Sequence, residues 1–161
     1  MAGMFFTAWL ALHCAIVPIC PLPNIPPTVQ DLPEVIHHTD IDWAFLAPSM
    51  IEEIGKTPDL LDVVASRLRQ LFFAGGSVSR QHGDTIARRM GLYQVFGTSE
   101  MGIWPLIAPV GEHDYRDWAY VQVHPAVAVQ FQHRHNNLHE LVCFAVKTTK
   151  YSHQFFLCFL R

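Results

Sequence analysis

Residues 94 to 102 read QVFGTSEMG, a small hydroxyl-rich turn that ends in an acid directly after an apolar run. Gly97 opens the backbone, Thr98 and Ser99 bring hydroxyls, and Glu100 brings a hard carboxylate oxygen of the kind Mg²⁺ prefers. Phe96, or Tyr93 a turn earlier, is an aromatic able to lie against a planar base by offset stacking. Such a set suits a phosphate or a metal ion, and a simple capped turn accounts for the same five residues equally well.

A second stretch, LFFAGGSVS, runs an apolar segment into Gly75, Gly76 and Ser77. Glycine lets another molecule come close to the backbone, because it has no side chain and tolerates positive φ. Taken alone, this is a strand-to-helix turn with Ser77 or Ser79 as the cap. The pair of turns is what points to a ligand.

A third candidate is QHRHNNLHEL, with His133, His135 and His139. The HxH spacing puts two imidazoles on one face of a strand, and three histidines can hold Zn²⁺ with an open fourth position. Asn136-Asn137 in the same stretch reads as a hairpin turn, which places His139 on the returning strand without any metal. The isolated His13, His37, His38 and His153 read as surface or satisfied core residues. Ser99 lacks the GxSxG surroundings of a hydrolase nucleophile. Arg88-Arg89 reads as the solvated side of a helix with no assigned role.

The elements that must position these residues can be read from pattern. Met4 to Leu12 reads as an apolar helix and Cys14 to Cys20 as a short buried strand ended by proline. PLPNIPPT, residues 21 to 28, is a stiff connector, since proline fixes φ and removes a donor. Thr28 caps a helix running through His38, with Asp31 near its positive end. Trp43 to Ala47 is a strand, Pro48 begins a helix at its first position, and Pro58 to Arg67 is another helix. A strand from Leu71 to Ala74, a helix from Ser79 to about Met90 and a strand from Leu92 to Phe96 make a βαβ unit of a parallel sheet. Both glycine turns then fall at the carboxyl ends of neighbouring parallel strands, where open α/β sheets bind ligands. After Pro109 the polar loop GEHDYRD leads to WAYVQVHP, VAVQFQHR and LHELVCFAV, which alternate like antiparallel hairpin strands, and Phe155 to Leu160 is a further strand-like run.

The bulk numbers bound the rest. A chain of 161 residues fits one domain and can bury roughly 70% of the surface its unfolded form exposes. Half the residues are apolar and 16% are charged, a balance that suits a body whose surfaces are normally covered. A net charge of -3 gives no electrostatic reason to expect nucleic acid or an anionic membrane as a partner. Cys14, Cys20, Cys143 and Cys158 form no CxxC or zinc spacing, so reduced and mostly buried thiols are expected. The N-terminal apolar run lacks the preceding Lys or Arg of a secretory signal and is marginal as a span of about 20 residues. A cytoplasmic protein is expected, with secretion the alternative if residues 1 to 20 act as a signal.

LFFAGGSVS, LYQVFGTSEMG, DWAYVQVHP and LHELV together resemble the adenylate-forming (AMP-binding) superfamily, and within it the adenylation domain of the fungal nonribosomal-peptide-synthetase-like adenylate-forming reductases. The resemblance runs from about Phe5 to Leu141, and more loosely to Phe159. It implies ATP, Mg²⁺ and a small carboxylic acid as ligands. It also implies a partial adenylation-domain fold, α/β over residues 1 to 109 and β-rich over 110 to 161. By position, Gly75, Gly76 and Ser77 match the loop lining the adenine and acyl pocket, and Phe96 the aromatic that packs on adenine. Gly97 and Thr98 match the acyl or phosphate side, Ser99 a hydroxyl that contacts the α-phosphate, and Glu100 the acid that holds Mg²⁺. Serine stands at 99 where the family usually has threonine, which keeps the hydroxyl.

The family's triphosphate loop with its lysine, its ribose-binding aspartate, its C-terminal lid and its carrier and reductase domains have no counterpart in these residues. Attack of a carboxylate on an α-phosphate needs several cations and donors, and removing one preorganised donor typically slows a reaction about 10²- to 10³-fold. The expectation is therefore a portion of an acyl-adenylate-forming enzyme, inactive alone. The alternative is a noncatalytic relict or interaction module that retains the central fold.

Overall fold

A computed structural model describes residues 16–20, 24–98, 102–107, 114–127 and 129–143. The expected helix over Met4 to Leu12, the start of the first strand at Cys14, the run Phe155 to Leu160, and His13 and His153 lie outside the described residues.

The first regular element is a 3-10 turn, Val29–Asp31, that leads into helix α1, Leu32–His38. Its entry is closed by Asp31, whose carboxylate accepts from both the backbone N–H and the hydroxyl of Thr28 at 2.8 Å. These bonds hold the Asp31 carboxyl below the usual carboxylate range, the backbone donor being the larger cause. Strand β1, Trp43–Leu46, follows, and then helices α2, Pro48–Lys56, and α3, Pro58–Arg67. Each begins with proline, which lacks the N–H that a first turn leaves unbonded anyway. Strand β2 is Gln70–Phe73, helix α4 is Arg80–Ala87 with Ser79 at its N-cap position, and strand β3 is Gly91–Gln94.

The three strands pair in the order β1-β2-β3, all parallel and in direct register, with Phe45, Phe72 and Tyr93 side by side. Sequential parallel strands joined by right-handed crossovers place every connecting helix on the same side of the sheet. The burial follows this rule. Leu71, Phe73 and Leu92 are buried with Ile51, Ile54, Leu61, Val64 and Ile86 of the helices, and Ala44 and Leu46 pack against that core. The alternate residues form an aromatic ladder on the opposite face. Phe72 stacks on Tyr93 at 5.4 Å between ring centroids and meets Trp43 edge to face at 5.5 Å.

Beyond β3 lie a two-residue ribbon, β4 (Gly97–Thr98) against β5 (Gly102–Ile103), and a hairpin, β6 (Val129–His135) against β7 (Leu138–Cys143). The fold is thus mixed α/β, with a parallel sheet followed by antiparallel ribbons, as the periodicity led us to expect.

Three expectations are corrected. WAYVQVHP is not a strand: Tyr115–Ala119 is a 3-10 helix, and only Val123 makes an isolated bridge, to Leu106. The cause is Trp118, which is buried against α4 and donates its indole N–H to Asp84 Oδ1 at 2.9 Å. Ile16 to Cys20 is neither strand nor buried, with Val17 86% exposed and the Cys20 thiol free and exposed. Arg88 and Arg89, to which no role was assigned, each hold a distant segment: Arg88 donates to the Tyr115 hydroxyl at 3.0 Å and Arg89 to Asp62 at 2.6 Å. Among the described residues, no helix is long and apolar enough to cross a membrane.

Candidate functional site

Because β1, β2 and β3 run in one direction, their carboxyl ends share one edge of the sheet, and the two turns singled out from the sequence both leave from it. At the end of β2, Gly75 takes φ +86°, a conformation that L side chains rarely adopt. A Cβ there would meet nothing within 4 Å, so the backbone alone demands glycine. Gly76 lies against Pro48, the first residue of α2, and Ser77 is exposed. At the end of β3, the Val95 N–H donates to the Phe73 carbonyl at 2.8 Å, which prolongs the pairing of β3 with β2 to Val95.

Gly97 sits where β4 closes on β5. A Cβ at Gly97 would come within 2.5 Å of the Gly102 carbonyl oxygen, so this ribbon requires a residue without one. Gly97 and Thr98 are therefore the first strand of a tight ribbon rather than a capped turn. The ribbon folds back on itself through the Trp104 N–H, which donates to the Phe96 carbonyl at 3.0 Å. Phe96 is half-buried and meets Trp104 edge to face, with centroids 5.2 Å apart. Ser99 and Glu100 fall between β4 and β5 in the chain and lie outside the described residues.

Two features of this edge were not anticipated from the sequence. Trp104 is 5% exposed, and its indole N–H is the one buried side-chain polar atom without a hydrogen-bond partner among the described residues. An unmet buried donor typically costs about 1–3 kcal/mol, so it marks a place where an acceptor is wanted. The second feature is a cluster where the Gly75 turn enters α4. The backbone N–H of Ser79 donates to Glu52, its hydroxyl lies 3.1 Å from the same carboxylate and 2.8 Å from His82 Nδ1, and that nitrogen is bonded to Glu52.

Ser, His and Glu in contact suggest a hydrolytic triad, and the geometry rejects it. A carboxylate only accepts, so His82 Nδ1 must carry its proton toward Glu52. The same nitrogen faces Ser79 and therefore has no lone pair with which to take the serine proton. The cluster is a tie instead. It gives the Ser79 N–H, at the N-cap of α4, a carboxylate partner from α2 and draws the two helices together where Gly55 leaves room for His82. The Ser79 backbone bond is the main reason that the Glu52 carboxyl is held below its ordinary value of 4.5. No spacing in the sequence could show this, since Glu52 lies 27 and 30 residues before Ser79 and His82.

No protein-family model matches the chain. It is 29% identical over 142 residues to the isocyanide synthase-NRPS hybrid crmA of Aspergillus fumigatus, a match that covers 84% of this chain and 9% of that protein. The chain thus spans about a tenth of the length of this curated relative. Among solved structures, the amide bond synthetase McbA from Marinactinospora thermotolerans aligns with a TM-score of 0.42 at 25% identity, over 48% of this chain and 16% of the synthetase. The similarity to crmA is weak, and the likeness to the synthetase covers less than half of this chain.

The third sequence candidate is altered by the structure. Asn136 and Asn137 do form the hairpin turn, with φ of 47° and 63°. The register slips between His133 and His135, so the extra residue breaks the two-residue alternation that the HxH reading needs. His133 pairs with His139, whereas His135 pairs with Leu138. No group of three His, Cys, Asp or Glu side chains able to hold a metal occurs among the described residues. A shallow depression of about 460 Å³, bordered by Thr28, Gln30, Ser49 and Glu53, includes neither glycine turn.

Proposed function

We propose that the carboxyl edge of β2 and β3 is one wall of a nucleotide pocket, and that the chain serves ATP-dependent activation of a small carboxylic acid as its acyl-adenylate. The observation that carries this reading is the placement of Gly75-Gly76-Ser77 and Phe96-Gly97-Thr98 at the ends of two adjacent parallel strands. That is the position at which open α/β sheets take ligands. The distant similarity to a protein named as an NRPS hybrid supports it.

In this reading the Gly75 turn lets the nucleotide approach the backbone, and Ser77 offers a hydroxyl beside it. Phe96 uses one side of its ring for Trp104 and offers the other to adenine. Thr98 and Ser99 donate to phosphate oxygens. Their hydroxyls and the Glu100 carboxylate are hard oxygen donors of the type Mg²⁺ takes, and the ion would offset charge on the phosphates. Glu100 would hold it. The Trp104 indole N–H supplies a buried donor for an oxygen of the bound acid or adenylate.

Neither AGGSVS nor VFGTSEMG contains a lysine or arginine, so these two walls bring no fixed positive charge to the phosphates. We therefore assign this polypeptide, taken alone, nucleotide binding without turnover. The same lack of cations favours a second reading, in which the chain is a noncatalytic module that retains the central fold. ATP binding by calorimetry in the presence of Mg²⁺, together with ATP–pyrophosphate exchange, separates the outcomes. Binding weakened about tenfold by Glu100→Ala, with exchange at the blank level, supports the wall without turnover. Exchange well above blank and lost in Glu100→Ala would show the chain to be competent by itself. No ATP binding in the parent would leave the module.

A further inference from the structure

We propose that His133 and His139 form a two-imidazole site for a divalent transition metal, with Zn²⁺ as the ion considered, that staples β6 to β7. The two residues are direct partners across the hairpin, and their rings lie 5.3 Å apart between centroids at 77°. Both are exposed, so an ion can reach them. The separation fits the geometry of one shared ion. Zinc sits about 2.05 Å from an imidazole nitrogen and hence roughly 3.2 Å from the ring centre; a tetrahedral angle at the metal then sets the two centres about 5.2 Å apart.

The protonation pattern fits as well. His139 Nδ1 lies 3.2 Å from the carbonyl oxygen of Asn137, which accepts only, so that nitrogen carries the proton. Nε2 is left with its lone pair, and a backbone carbonyl on the other nitrogen is the usual support of a metal-binding histidine. Glu140, the nearest carboxylate in sequence, is already held by Arg134. The register slip sends His135 to pair with Leu138 instead, so the site has two protein ligands and water completes it.

The hairpin supplies the reason for such a staple. β6 and β7 pair with each other and with no other strand among the described residues. An isolated two-stranded ribbon is marginal in water. An ion bound across this pair, one pair in from the turn, favours the closed ribbon, because the two imidazoles converge only when the strands are in register.

The chain has ten histidines, so the test must be resolved by site. The full chain is titrated with Zn²⁺ alone and followed through its imidazole ¹H–¹⁵N resonances, with the amide shifts of β6 and β7 reporting that the hairpin is formed. His133 and His139 should shift together as one binding event. His133→Gln and His139→Gln, which keep size and polarity, should each weaken that event at least about tenfold, while His135→Gln leaves it within about twofold. The proposal is overturned if neither ring responds to Zn²⁺, if His133→Gln binds like the parent with its hairpin intact, or if His135→Gln weakens binding as much as the other two.

Discussion

At the scale of single residues, the close contact of Gly83 with Trp118 decides how the segment after the β4–β5 ribbon is held. A Cβ on Gly83 would stand 1.9 Å from Trp118 Cζ2, so the buried indole would have to shift. Alanine would gain about 1 kcal/mol of helix propensity at this position in α4. The overlap outweighs that gain, because forcing atoms into a packed contact typically costs about 1–3 kcal/mol and here the hydrogen bond from Trp118 to Asp84 is lost too. Gly83→Ala is expected to lower the unfolding free energy by about 2–3 kcal/mol, read from urea denaturation. Glu52 gives a second test at this scale. Its folded-state pKa lies below 4.5, so its contribution is fully present above pH 4.5 and is lost as pH falls through the folded value. Urea midpoints measured from pH 7 to pH 3 should therefore show Glu52→Gln well below the parent at neutral pH, with the gap closing below about pH 4.5. Asp31 has its pKa lowered in the same direction and is present in both proteins, so the difference between them isolates Glu52.

At the scale of elements, the β6–β7 turn is the most direct test. Asn136 and Asn137 both adopt positive φ, the backbone of a two-residue hairpin turn that glycine favours at its second position. Asn137→Gly is expected to raise the hairpin's stability by a few tenths of a kcal/mol, seen as slower amide exchange in β6 and β7. The elements also show what was legible in the sequence. Pro48 and Pro58 start their helices as read, and the βαβ unit with its two strand-end turns stands where the periodicity put it. These signals are local, since a proline ring or an apolar repeat acts within a few residues. What could not be read depends on partners far along the chain. WAYVQVHP has a strand's alternation, yet Trp118 finds Gly83 and Asp84 some 34 residues earlier and winds its segment into a 3-10 turn. The Glu52, Ser79 and His82 tie and the Trp104 donor, without a partner among the described residues, belong to the same class, because each is defined by packing between elements. For the strand-end turns, their glycines were legible in the sequence, while the ribbon geometry of Gly97 required knowing that Gly102 lies opposite.

At the scale of the whole molecule, the sheet has one face under helices and one face that carries Trp43, Phe72 and Tyr93 half-buried. β1 and β3 are its outer strands among the described residues, and an unpaired strand edge beside an apolar face favours association. The chain expressed alone is expected to form concentration-dependent oligomers, which light scattering coupled to size exclusion will detect. A monomer at all concentrations with one cooperative unfolding transition would contradict this.

The direct order of the sheet also bears on how the chain acquires its structure during synthesis. Because β1, β2 and β3 pair in the order in which they are translated, each new strand needs only the one before it, and the loops to be closed stay short. The helical layer and the sheet can therefore dock while the ribosome is still adding residues beyond Gln94. The strand-end turns would then be in place on a nascent chain before the hairpin that follows them has been made.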